Sequence, residues 1–236
     1  MKRLSTLLLT ILLTAPLWSS AQYSTLSLEL GTGPQSYRGD LNPSFGQWGY
    51  HISGGIRITP KEKRLHFYTG VTYGKVMAQS YSYETPDPNY TPLTQVDTRI
   101  FSVESKLFVN LIKKTSFRLY LQQGIALNTM QSYTPIKDPD TGIVINTPVE
   151  NQIQSIETSN IITYNELNYS PFFISFPTGI GASYHFKNAF GIALESTLMN
   201  PISDYLDVMS ELGNPKNLDN VWQFRCSVLV PLRTIR

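Results

Sequence analysis

The segment Phe117-Arg118-Leu119-Tyr120-Leu121-Gln122-Gln123-Gly124-Ile125-Ala126-Leu127-Asn128 alternates in character. Successive side chains of an extended strand point to opposite sides. Phe117, Leu119, Leu121, Ile125 and Leu127 therefore share one face, and Arg118, Tyr120, Gln122, Gly124, Ala126 and Asn128 share the other. The same period returns on either side of this segment. Phe101, Val103, Leu107 and Val109 oppose Ser102, Glu104, Lys106 and Asn110, and Trp222, Phe224, Cys226, Val228, Val230 and Leu232 oppose Gln223, Arg225 and Ser227. Glu29, His51, Arg57 and Glu195 take the polar face of three further strands.

Eight strands are predicted in all: Tyr23 to Gly31, Gly49 to Ile58, Leu65 to Gln79, Thr98 to Asn110, Phe117 to Ser132, Tyr169 to Phe186, Phe190 to Met199 and Asn220 to Leu232. The connectors between them alternate in length. Gly33 to Trp48, Ser80 to Asp97, Tyr133 to Asn168 and Asn200 to Asp219 are long; Thr59 to Arg64, Leu111 to Ser116 and the hairpin loop Lys187-Asn188-Ala189 are short. Consecutive turns of an up-and-down barrel fall on opposite rims, so this order puts every long loop on one rim. The expected fold is all-β: an eight-stranded antiparallel up-and-down transmembrane β-barrel.

The start of the chain agrees with export. Met1-Lys2-Arg3 is basic, Leu7 to Leu17 is apolar, and Ser19-Ser20-Ala21 offers small residues for cleavage, the pattern of a signal peptide. Residues 1–21 are expected to be removed, leaving 22–236 as one barrel domain that begins at Gln22 or Tyr23. The apolar run is shorter than the roughly 20 residues that a spanning helix needs. Cys226 is the single cysteine, so no internal disulfide can form. Removing Lys2 and Arg3 from 19 basic and 17 acidic residues leaves 17 of each, a balance that argues against a nucleic-acid partner. Charged residues make up 15% of the chain, aromatics 12%, and there are 14 tyrosines; soluble domains carry about a quarter charged residues.

The faces decide between membrane and water. On the lipid side of a membrane barrel, an Arg or Lys costs about 2–4 kcal/mol near the midplane. The charges of these strands must then face the lumen, where Glu29, Glu104 and Glu195 can pair with Arg57, Lys106, Arg118 and Arg225. An eight-stranded interior is just wide enough for side chains to fill, so a plugged barrel is expected. A soluble barrel with solvated outer-face charges is the alternative, opposed by the signal segment and the two-rim pattern. Phe67, Phe117, Phe186 and Phe190 lie beside the short turns, and Trp48, Tyr50, Tyr81, Tyr133, Tyr169 and Trp222 lie near the long loops, the levels of two interfacial girdles.

Catalysis and metal binding find little support in the residues. His51 and Ser53 share the polar face of the second strand, but there is no Gly-x-Ser-x-Gly elbow. His66 and His185 are placed near the short-turn rim, away from Ser53. No His or Cys pair has zinc-ligand spacing, and Asp40, Asn42, Asp204 and Asp207 lack the regular spacing of a calcium loop. No cofactor and no metal are expected. In the longest loop, Asp138-Pro139-Asp140-Thr141-Gly142 is a turn expected to join two strands of an extra hairpin, with Ile143-Val144-Ile145 and Gln152 to Ile156 as the candidates.

Two loop segments resemble a known family. Ser36-Tyr37-Arg38-Gly39-Asp40-Leu41-Asn42-Pro43 is similar to the Tyr-x-Gly-Asp-Leu-Asn signature of the PorG-like small outer-membrane barrels of Bacteroidetes, and Ser203-Asp204-Tyr205-Leu206-Asp207-Val208-Met209-Ser210 resembles that family's second motif. Val208 and Met209 stand where the family usually has Asp and Val, and the chain ends Pro231-Leu232-Arg233-Thr234-Ile235-Arg236 rather than on an aromatic residue. The resemblance implies a non-enzymatic outer-membrane anchor or scaffold of the type IX secretion machinery. Its partners would be outer-membrane lipid and other envelope proteins, among them secretion-ring lipoproteins. Tyr37, Gly39, Asp40, Leu41, Asn42, Asp204, Tyr205 and Asp207 would be its loop-bracing or partner-contacting residues. A lumenal lipid-modifying enzyme, a narrow pore and an OmpA-like structural barrel are the alternatives.

Overall fold

The structure, a computed structural model, describes residues 24–39, 44–60, 64–79, 95–137, 144–148, 152–156, 162–166, 171–187, 190–202 and 219–235. The expected signal segment lies outside them. The strands are β1 (Ser24–Arg38), β2 (Trp48–Pro60), β3 (Leu65–Gln79), β4 (Gln95–Lys113), β5 (Phe117–Lys137), β6 (Val144–Pro148), β7 (Gln152–Ile156), β8 (Ile162–Glu166), β9 (Phe172–Ser175), β10 (Thr178–His185), β11 (Gly191–Met199) and β12 (Asn220–Ile235). Every pairing is antiparallel. β1 to β5 run in chain order, β10 follows β5, and β12 pairs back onto β1, closing the wall.

β9 and β10 together form the sixth wall strand. Their register against β5 is the same on both sides of Phe176-Pro177, and the bridging bonds Gly124 N to Pro177 O (2.8 Å) and Phe176 N to Asn200 O (3.0 Å) continue the ladders. Pro177 has no N–H to give, so the hydrogen-bond pattern lapses there while the strand goes on. The wall therefore has eight strands.

Two of the sequence expectations need correction. The sequence predicts that the first long connector starts at Gly33, yet β1 continues to Arg38. Gly33-Pro34 looks like turn chemistry but is accommodated on one side only. The ladder to β12 skips these two residues and the ladder to β2 passes straight through them; a Cβ on Gly33 would collide with the Phe224 carbonyl. In the longest loop, the two candidate strands do not pair with each other. Val144–Pro148 pairs with the extension of β5 through Lys137, and Gln152–Ile156 pairs with β8. A hairpin directly following a wall strand prolongs that strand at no extra loop-closure cost, which the turn residues alone do not reveal. The turn Asp138 to Gly142 lies outside the described residues.

Burial is inverted relative to a water-soluble domain. Arg57 is 1% exposed, whereas Leu194 is 61% and Ile52 56% exposed. Large apolar side chains cover the outside of every wall strand, including Leu30, Val71, Phe101, Leu121, Ile180 and Val228. Such a surface is stable only against hydrocarbon. Phe117, Tyr184, Phe186 and Phe190 ring the short-turn rim on the outside, with Phe186 N bonded to Phe190 O at 2.8 Å as the three-residue loop predicts. Trp48, Phe45, Trp222 and Phe224 form an outer cluster toward the long loops, with Trp222 and Phe224 ring centroids 4.8 Å apart. Tyr81 and Tyr169 lie outside the described residues. The strands, 13 to 21 residues long in β2 to β5, exceed the roughly 9–11 that a tilted crossing takes.

Candidate functional site: a lumen filled in layers

Alternation turns one side chain in two inward from each strand, and the register stacks those side chains into levels. Midway along the axis lies an ionic level. Arg57, from β2, donates through Nε to Glu29 Oε2 (2.6 Å), and through Nη2 to Glu29 Oε1 (3.0 Å) and Glu195 Oε1 (2.5 Å). Its Nη1 reaches the Tyr120 hydroxyl at 3.2 Å, which donates in turn to Glu195 Oε1 at 2.8 Å. Arg225, from β12, binds Glu195 through Nε (2.9 Å) and Nη2, and Glu104 Oε1 through Nη1 (3.2 Å). Lys106 Nζ sits 3.0 Å from Glu104 Oε2. Three carboxylates meet three cations, all buried, so the level is electrically closed. Removing charges from water is costly, and only such dense mutual pairing offsets it.

Aromatic rings and glycines shape this level. The Arg57 guanidinium lies 4.5 Å from the Phe108 ring centroid, and that of Arg225 lies 4.9 Å from the Tyr68 ring, close enough for cation–π attraction. Gly55 and Gly181 leave room for the rings. A Cβ on Gly55 would stand 2.7 Å from Tyr68 Cε2, and one on Gly181 would stand 2.6 Å from Tyr120 Cε2.

Toward the long loops the level above is built of amides and hydroxyls. Gln223 Nε2 donates to Gln35 Oε1 (2.9 Å), Ser102 Oγ to Asn128 Oδ1 (2.6 Å), Asn128 Nδ2 to Ser175 Oγ (2.9 Å), and Gln122 to Thr197. Above it again comes an apolar cap that sequence reasoning missed. Tyr37, Val76, Ile100, Met130, Phe173 and Val221 are its main members, buried together inside the wall. They keep the inward parity of the charged residues below them, and all but Tyr37 lie inside the predicted strands, but apolar residues on both faces at this height hide the pattern.

The expected lumen residues behave differently from one another. Glu29, Arg57, Glu104, Lys106, Glu195 and Arg225 join one network. Arg118 does not. It faces the lumen near the short turns, where Nε and Nη1 are buried without a hydrogen-bond partner. It is the second residue of β5, next to the short turn and away from the mid-level network.

Of the loop residues, Tyr37 and Gly39 are described, while Asp40, Leu41, Asn42, Asp204, Tyr205 and Asp207 lie outside the described residues. Tyr37 is buried, and its hydroxyl donates to Asp219 Oδ1 at 2.5 Å. A Cβ on Gly39 would collide with that hydroxyl and with Asp219. The bond ties the end of β1 to the residue that leads into β12. His51 and Ser53 share the inward face, yet neither ring nitrogen of His51 nor Ser53 Oγ makes a hydrogen bond, so they are not a base–nucleophile pair in this geometry. Among the described residues, no group of three His, Cys, Asp or Glu is arranged to hold a metal ion.

No family model and no curated protein sequence matches the chain. Among solved structures it is similar to Neisserial surface protein A, with TM-score 0.47 and 10% identity over 88% of this chain and 97% of that one. It is also similar to Ail, the attachment invasion locus protein of Yersinia pestis (TM-score 0.43, 9% identity, 89% and 99% covered), and to the N-terminal β-barrel domain of Pseudomonas aeruginosa OprF (0.37, 11%, 89% and 99%). By its own closed wall, apolar exterior and charged interior, this chain is an eight-stranded outer-membrane β-barrel.

Proposed function

We propose that the barrel is a non-enzymatic anchor or scaffold for a protein assembly, and that the assembly is the type IX secretion machinery. The observation that carries the anchor reading is the filled lumen. Ionic, amide and apolar levels succeed one another along the axis, so what the molecule can offer to partners is its rims and loops. The finer assignment is supported by the resemblance of residues 36–43 and 203–210 to the two PorG-like motifs. The Tyr37–Asp219 bond, which ties the end of β1 to the start of β12, supports a bracing role for Tyr37.

Affinity capture of the tagged chain from crosslinked envelopes of its native host tests both parts. Co-recovery of secretion-ring lipoproteins is expected. Recovery of other envelope proteins without any ring component would overturn the secretion assignment, and recovery of no protein above background would overturn the anchor reading itself.

A further inference from the structure

The ionic level is balanced, but the level beneath it, at the short-turn mouth, is not. Arg118 is half-buried and pairs with no carboxylate among the described residues. Around it lie other polar atoms that are buried and unpartnered, Nδ1 of His185 and Oγ of Ser183, and the side chains of His66 and Asn110, which are hydrogen-bonded to each other. His66 is 1% exposed, stacked on Phe108 at 4.7 Å. Ser183 is the cross-strand partner of Arg118 on β10, and Asn110 is the partner of Tyr120 on β4. Leaving a buried donor or acceptor unsatisfied costs about 1–3 kcal/mol, and more for a charged group. Several at one mouth point to something that satisfies them together.

We propose that this mouth, built from Arg118, His66, His185, Asn110 and Ser183, is a binding site for a phosphate-type oxyanion. The atom types favour it. Arg118 offers N–H donors beside a full charge, Ser183 a hydroxyl and His185 a ring nitrogen that can carry a proton. The tetrahedrally arranged oxygens of a phosphate-type oxyanion can accept from all three at once, which the two coplanar oxygens of a carboxylate do less well. The surroundings draw anions toward the mouth as well. Among the described residues the short connectors hold Arg64, Lys113, Lys114 and Lys187 and no acid, and clustered charge of one sign raises the local concentration of its counter-ion. Arg118 and His185 are both partly exposed, so the site is reachable from this rim. The inference stands independently of the anchor reading.

Isothermal titration of sodium phosphate, at constant ionic strength, into the barrel refolded in zwitterionic detergent tests it. The wild type is expected to bind saturably. Arg118→Gln is expected to bind at least about tenfold more weakly, the worth of a charge-assisted hydrogen bond, with Arg64→Gln on the exposed rim changing the affinity little. Heat-modifiable electrophoretic mobility reports folding. Should Arg118→Gln not fold, Ser183→Asp places a carboxylate beside Arg118 and is expected to abolish phosphate binding by occupying the site. No saturable binding by the wild type up to about 10 mM phosphate, or undiminished binding by these variants, overturns the proposal. Repeating the titration in nanodiscs with and without phosphatidylglycerol separates the sources: a phosphate affinity lowered by the anionic lipid assigns the oxyanion to a headgroup, and an unchanged one assigns it to a solute.

Discussion

Glu195→Leu is expected to destabilise the barrel by about 3–5 kcal/mol, the cost of stripping one partner from a buried ion network. Glu195 accepts from Arg57, Arg225 and Tyr120 at once. Leucine removes all four bonds from these three residues and leaves the lumen with a surplus of positive charge that has no water to hydrate it. Glu195→Gln keeps the shape and some of the accepting capacity, so a smaller loss is expected. Urea unfolding in detergent micelles, followed by tryptophan fluorescence, measures both. A loss below about 1 kcal/mol for the leucine variant would mean that water, and not this network, fills the interior.

Leu194→Arg, at the very next residue, is expected to cost about 2–4 kcal/mol for the opposite reason. Leu194 points outward and is 61% exposed at the height of the ionic level. At this height arginine is accepted at positions 57 and 225, both on the inward face. The same unfolding measurement in phospholipid vesicles should therefore find the variant destabilised, and more so in vesicles than in detergent, which deforms more readily around a charge. Equal stability of Leu194→Arg and wild type in vesicles would place water, not hydrocarbon, against β11.

Strand identity and face were legible because a two-residue period carries them directly. Leu119 against Tyr120, Leu194 against Glu195 and Phe224 against Arg225 all take the sides that alternation assigns. Height was legible only at strand ends. Arg118 follows Phe117 beside a short turn, whereas which mid-strand charges share one level depends on closure of the whole wall. The apolar cap was hidden for a related reason. Where Val96 and Ile100 face inward and Phe101 and Val103 face outward, apolar residues occupy both faces and the period fades. Gly33-Pro34 misled by its local chemistry, which a strand tolerates when the lost bond falls on one neighbour only. Tyr37 and Gly39 could be named from the family resemblance, but the bond to Asp219, 182 positions away, depends on β1 and β12 being neighbours around the ring.

Cys226 offers the most direct test, since it is the only cysteine in the chain and faces outward from β12 in the middle of the wall. A fluorophore attached there, with the protein reconstituted in vesicles, should be quenched by nitroxide groups on the lipid chains and untouched by aqueous iodide. Quenching by iodide with no response to the chain nitroxides would mean that the greasy side of this sheet does not meet lipid.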